Sequence, residues 1–189
     1  DTDSKAIRAL PYFNAADFTP EWNTPEHKIP DFSFTNQNGE EVNNKTFEGK
    51  IYVADFFFTS CPGICPKLTK NMGHIQETYK NNHDIMLLSH TVMPWRDSVP
   101  LLKQYAKKYN VDSNKWHLVT GDKKQIYDLG RNFYFIEENL GEPKDIDEFL
   151  HTENFVLIDK NRYIRGIYNS LNRASLAQLI IDIKALKNE

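Results

Sequence analysis

The stretch Ile51-Tyr52-Val53-Ala54-Asp55-Phe56-Phe57-Phe58-Thr59-Ser60-Cys61-Pro62-Gly63-Ile64-Cys65-Pro66 joins three kinds of local sequence. Ile51–Phe58 is a near-continuous apolar run after Gly49-Lys50, the pattern of a strand buried on both faces. Cys61 and Cys65 follow, four residues apart, and the chain from Lys67 to about Lys80 is helix-prone. A cysteine pair at the start of a helix meets orphan N–H groups and the positive end of the helix dipole, so both thiols are expected to lose protons easily. On a helical backbone that spacing puts the two Cα atoms roughly 6 Å apart on one face. A disulfide spans ~4.4–6.8 Å, so a bridge is sterically allowed, and the same spacing lets two thiolates bite one metal ion. Pro66 helps fix the backbone where the helix begins. The geometry permits redox and metal chemistry alike.

Working outward, Asp31–Phe34 and Glu41–Val42 flank Asn38-Gly39, a hairpin turn signal. Asp84–Val92 reads as a second buried strand and Ser98–Tyr109 as a helix with Leu101, Leu102 and Tyr105 in its apolar stripe. Lys115–Val119 is a short strand, Asp122–Asn132 a helix, and residues 137–148 an acidic, exposed loop. Glu153–Ile158 and Tyr163–Tyr168 are strands about the Asp159-Lys160-Asn161 turn, and Arg173–Lys187 is a closing amphipathic helix. This order spells an α/β fold with a central mixed sheet flanked by helices. A strand–cysteine loop–helix unit feeding β-α-β, then a β-β-α tail, is the thioredoxin-like order. Residues 31–189 are expected to form that domain. Residues 1–30, with four prolines among isolated aromatics, read as an extended leader or spacer whose rings pad the domain or rest near a membrane.

Composition narrows the function. The chain has 189 residues, a net charge of -3, 40% hydrophobic and 26% charged residues, which describes one ordinary globular domain. The near-balanced charge and the lack of a Lys/Arg cluster argue against a nucleic-acid partner. No apolar run approaches the ~20 residues needed to span a bilayer. The chain begins at Asp1 without Met, so a signal or anchor upstream is not legible. Two cysteines make neither a disulfide scaffold nor a thiolate-only zinc or iron–sulfur site, which needs about four. A redox pair, or a metal clamp with ligands recruited from elsewhere, remains.

His151 stands at the entrance to a late strand. In a thioredoxin-like sheet that loop faces the cysteine loop, so a histidine there can complete a Cys₂His set. Two soft thiolates and one imidazole suit copper, Cu(I) above all, whereas zinc wants a fourth ligand. Thr59, Cys61-Pro62-Gly63-Ile64-Cys65-Pro66, the Pro94–Asp97 turn and His151 ahead of Phe155–Asp159 resemble the Sco/SenC family of copper-binding, thioredoxin-fold proteins. The resemblance runs from about Asp31 to Glu189. It implies copper ligands at Cys61, Cys65 and His151, and a part in assembling the copper centre of a membrane-embedded respiratory cytochrome c oxidase. Gly63 stands where family members often carry Asp, and Met93 and Trp95 replace acidic residues before Asp97.

The reading is a copper metallochaperone, expected to be monomeric, extracytoplasmic and tethered to the membrane by an N-terminal segment. The alternative is a thiol–disulfide oxidoreductase with Cys61 and Cys65 as its redox pair, reducing a partner's cysteines. A thiol peroxidase fits poorly, because His151 has no part in that chemistry. Asp97 is expected to cap the helix at Val99, or else to stand near the metal. His90 is expected as a hydrogen-bonded core or rim residue, and His27, His74, His83 and His117 as surface residues. Phe58 is placed to dry the site.

Overall fold

The computed structural model describes residues 9–137, 144–145 and 148–189. In chain order these form β1 (Tyr12–Phe13), β2 (Pro20–Glu21), β3 (Ser33–Asn36), β4 (Glu41–Asn43), β5 (Ile51–Phe57), α1 (Cys65–Thr78), β6 (Ile85–Thr91), α2 (Val99–Lys108), β7 (Trp116–Thr120), α3 (Lys123–Asp128), β8 (Asn154–Ile158), β9 (Ile164–Asn169) and α4 (Arg173–Lys187). β3 to β9 make one mixed sheet in the order β4-β3-β7-β6-β5-β8-β9. β6 pairs in parallel with β5 and β7, and the other pairs are antiparallel. The expected thioredoxin-like architecture is present.

β5 is buried at all seven positions because it is central and covered on both sides. Val53 and Phe57 pack with Leu68, Met72, Leu102 and Leu179 of α1, α2 and α4. Tyr52, Ala54 and Phe56 pack with Phe34, Val119, Ile126 and Tyr134 on the other face. The β5-α1-β6 crossover starts through the cysteine loop at the carboxyl end of β5, and β6-α2-β7 starts from the carboxyl end of β6 beside it.

Several local readings change. The helix expected from Asp122 to Asn132 stops at Asp128 and widens into a π-helical turn over Leu129–Phe133. Gly130 lies there against Phe56 and Leu150, where a Cβ would meet Leu150 Cδ2 at 2.9 Å. In the leader, β1 and β2 pair across two residues each, too short for any alternation to show in the sequence. The leader is tied to β9: Arg165 donates to Leu10 O (2.7 Å) and Pro11 O (3.2 Å), and its guanidinium lies 4.2 Å from the Tyr12 ring centre. Phe13 and Phe18 pack on the domain, whereas Trp22 is exposed. His117, expected at the surface, is buried, with Nδ1 3.1 Å from Asn36 Nδ2, and His27 is half-buried against Phe133 O (2.7 Å). Pairing of β7 with β3 covers His117, and strand register of that range is not written in a local pattern. The acidic 137–148 stretch lies mostly outside the described residues.

Candidate metal and redox site

α1 starts on Cys65, with Pro66 in its first turn, where the missing N–H costs nothing. Cys61 precedes it in the loop and Cys65 sinks into the core beside Leu68 and Phe57. Both are free thiols. Their environments push them apart. For Cys61, desolvation raises the pKa, but hydrogen bonds from the Cys65 backbone and thiol and from the Gly63 and Ile64 N–H groups outweigh it, and the value is lowered. For Cys65, burial pushes the thiol up to about 12, and the neighbouring Cys61 and Asp55 add to the rise. The expectation of two acidic thiols therefore holds for Cys61 and is overturned for Cys65. The N–H groups at and just before the helix start converge on Cys61, while Cys65 is carried inward on the helix's buried face.

Cys61, Cys65 and His151 line one cleft of about 80 Å³, walled by Phe57, Phe58 and Phe149. The Phe58 and Phe149 rings meet edge to face at 5.6 Å, so that side of the cleft is an apolar wall. A larger cavity, about 500 Å³, opens between the Pro30–Phe34 segment and α3 and contains neither cysteine nor histidine, so size does not mark the site. Among the described residues, no three His, Cys, Asp or Glu side chains stand in metal-holding geometry. The fold thus brings the three expected residues to one cleft without assembling them as a finished ligand set.

Asp97 is neither a helix cap nor free for a metal. Ser98 caps α2, accepting from Leu101 N. Asp97 is buried, and its carboxylate accepts from Thr59 N (3.1 Å), Thr59 Oγ1 (2.6 Å) and Thr91 Oγ1 (2.6 Å). Both oxygens are engaged in lashing the start of the cysteine loop to the end of β6. His90 faces away from the cysteines, stacked on Phe56 at 4.4 Å with Nδ1 3.0 Å from Asp55 O. Burial pushes its pKa down to about 4.

Sequence reading missed Asp55 and Glu137. Asp55 is buried on the cysteine side of β5, its carboxyl hydrogen-bonded by Ser89 Oγ, and burial raises its pKa to about 7. A charged residue inside the apolar run Ile51–Phe58 was the available signal. Glu137 accepts the His151 N–H at 2.9 Å. Nothing in an acidic loop distinguishes such a carboxylate beforehand.

The profile of the SCO1/SenC family matches residues 21–188. A SCO1/SenC family lipoprotein from Bacillus anthracis shares 29% identity over 87% of this chain and 98% of its own, with a TM-score of 0.72. BsSco, described as a member of the Sco family of cytochrome c oxidase assembly proteins with a disulfide switch, shares 26% over 87% and 96%, at 0.72. Bradyrhizobium japonicum ScoI with copper bound shares 22% over 85% and 99%, at 0.66, a likeness of fold. With that profile spanning both cysteines and His151, the chain belongs to the SCO1/SenC family.

Proposed function

We propose that this chain is a copper carrier that takes one copper on Cys61, Cys65 and His151 and serves assembly of the copper centre of a respiratory cytochrome c oxidase. The observation that carries this reading is the shared cleft: two thiols from the cysteine loop and one imidazole from a distant loop line one small cavity at the surface. The donor set fits the metal. Two soft sulfurs suit Cu(I), and the imidazole supplies the nitrogen that Cu(II) favours. Relatives described as copper-bound and as oxidase assembly proteins support the same choice. We place the protein outside the cytoplasm and tethered to a membrane, a reading supported by the lipoprotein neighbour.

Metal analysis after loading with Cu(I) and with Cu(II) tests the ligands. The native chain should hold one copper, and Cys61→Ser with Cys65→Ser should hold none tightly. His151→Ala should keep Cu(I) on two thiolates, with weaker affinity, and lose Cu(II) with its thiolate-to-copper absorption. Stoichiometric copper in the double Ser variant would sink the assignment.

A second reading, thiol–disulfide exchange with a partner, is favoured by the thiol asymmetry. A half-exposed, acidified Cys61 is an attacking thiol and a buried Cys65 a resolving one. Copper delivery to a thiolate site needs that site reduced, so the two activities are compatible. Exchange with a model disulfide should survive His151→Ala nearly unchanged. Unchanged Cu(II) spectra in that variant would favour the exchange reading.

A further inference from the structure

Resting on the copper reading above, we propose that Glu137 is a positioning residue that sets whether His151 can reach the metal. Its side chain is only 9% exposed although it begins an acidic surface stretch. One carboxylate oxygen, Oε1, accepts the His151 N–H at 2.9 Å. The other, Oε2, accepts from Lys144 Nζ at 2.6 Å and Arg131 Nε at 3.3 Å. Arg131 reaches on to the chain ahead of His151, donating to Glu148 O (2.6 Å) and Asp145 O (3.4 Å). The neighbouring carbonyl, Ile136 O, receives Thr152 Oγ1 at 2.8 Å and Asn154 Nδ2 at 3.0 Å. Residues 136 and 137 therefore hold the 151–154 segment at three points, and the Arg131 guanidinium holds the segment leading into it.

This brace matters because the ligand set is not finished in the metal-free fold. The cysteines are fixed by α1 and by the Thr59–Asp97 lashing. His151 is exposed and lies on no strand or helix, so its place at the cleft depends on what grips its backbone. A loop fastened beside the cleft orders the imidazole before copper arrives, whereas a loose loop must be ordered at the expense of binding. Loss of a partner that orients a metal ligand typically lowers metal affinity about 10–100-fold.

The test compares Glu137→Ala, His151→Ala and the double variant, each titrated with Cu(II) and Cu(I) and followed by thiolate-to-copper absorption. Glu137→Ala should weaken Cu(II) binding about tenfold or more and change the absorption, with a smaller effect on Cu(I). In the His151→Ala background, where Cu(I) alone is held, it should not lower Cu(I) affinity further. Without metal, Glu137→Ala should speed hydrogen exchange at the His151 amide, and Glu137→Gln, which keeps an acceptor for that N–H, should restore part of both signals. Lys144→Ala removes a surface arm of the brace without touching the core, and should show the same effects at smaller size if Glu137→Ala does not fold. Should Glu137→Ala leave Cu(II) binding intact while His151→Ala abolishes it, the positioning role is wrong and the copper reading stands. An equal loss of Cu(I) affinity in both backgrounds would make Glu137 merely structural. An inert His151→Ala would remove the ligand and the inference together.

Discussion

Cys61 and Cys65 share one loop and one chemistry, yet they differ in reactivity because one sulfur faces the N–H groups of a helix start and the other faces hydrocarbon. At neutral pH an alkylating reagent should modify Cys61 first and Cys65 far more slowly, read as a single adduct at Cys61 by mass spectrometry. Equal labelling of both would contradict the asymmetry. Asp97 offers a second check at this scale. Asp97→Asn keeps the shape but puts an amide donor where Thr59 and Thr91 already donate. It should cost about 1.5–3 kcal/mol of stability in denaturant unfolding, as expected for hydrogen bonds to a charged group. Copper binding should weaken with it, since the start of the cysteine loop is released.

Among the elements, the π-helical turn after α3 is the part whose packing bears most on the site. Gly130 lies against Phe56 of β5 and Leu150 beside His151, where a Cβ would meet Phe56 Cε1 at 3.1 Å and Leu150 Cδ2 at 2.9 Å. Gly130→Ala therefore overpacks a contact between a core strand and the ligand loop, and should destabilise by about 1–3 kcal/mol. Differential scanning calorimetry measures this. A gain in melting temperature would show that the turn has room. The turn also explains why residues 122–132 read as one helix. Ile126 and Leu129 keep helical spacing, and the departure begins only where Gly130 packs closely against another strand.

Over the whole molecule, two buried titratable groups act on stability in opposite senses. Asp55 has a folded-state pKa of about 7 and an ordinary value near 3.9 when unfolded. Between those values the folded state holds a proton that the unfolded state releases, so its contribution falls as pH rises through that window. His90 is depressed to about 4 from 6.5, so the unfolded state binds the extra proton and stability falls as pH drops from 6.5 towards 4. The two slopes offset each other in the native chain. Asp55→Asn removes one and keeps an acceptor for Ser89 Oγ. That variant should melt with the native chain near pH 4, gain on it as pH rises, and hold a constant advantage above about pH 7. A constant difference across pH would remove Asp55 from this account.

The sequence by itself determined what neighbouring residues decide among themselves. A near-continuous apolar run marked β5 as central, and Cys-x₃-Cys-Pro after it placed a thiol pair at a helix start. Asn38-Gly39 set the β3–β4 hairpin, and alternating strands and helices declared the fold class. The family resemblance rested on that cysteine motif together with Thr59, the Pro94–Asp97 turn and His151. Only the tertiary structure decided which thiol is buried, that Asp97 lashes Thr59 across 38 positions, and that His90 turns away from the cysteines. It also decided that Glu137 grips His151 across 14 positions and that β3 covers His117. Periodicity and turn chemistry are short-range, so they register in a local window. Burial, carboxylate partners and thiol acidity depend on groups the chain brings together from afar, and no local pattern encodes them.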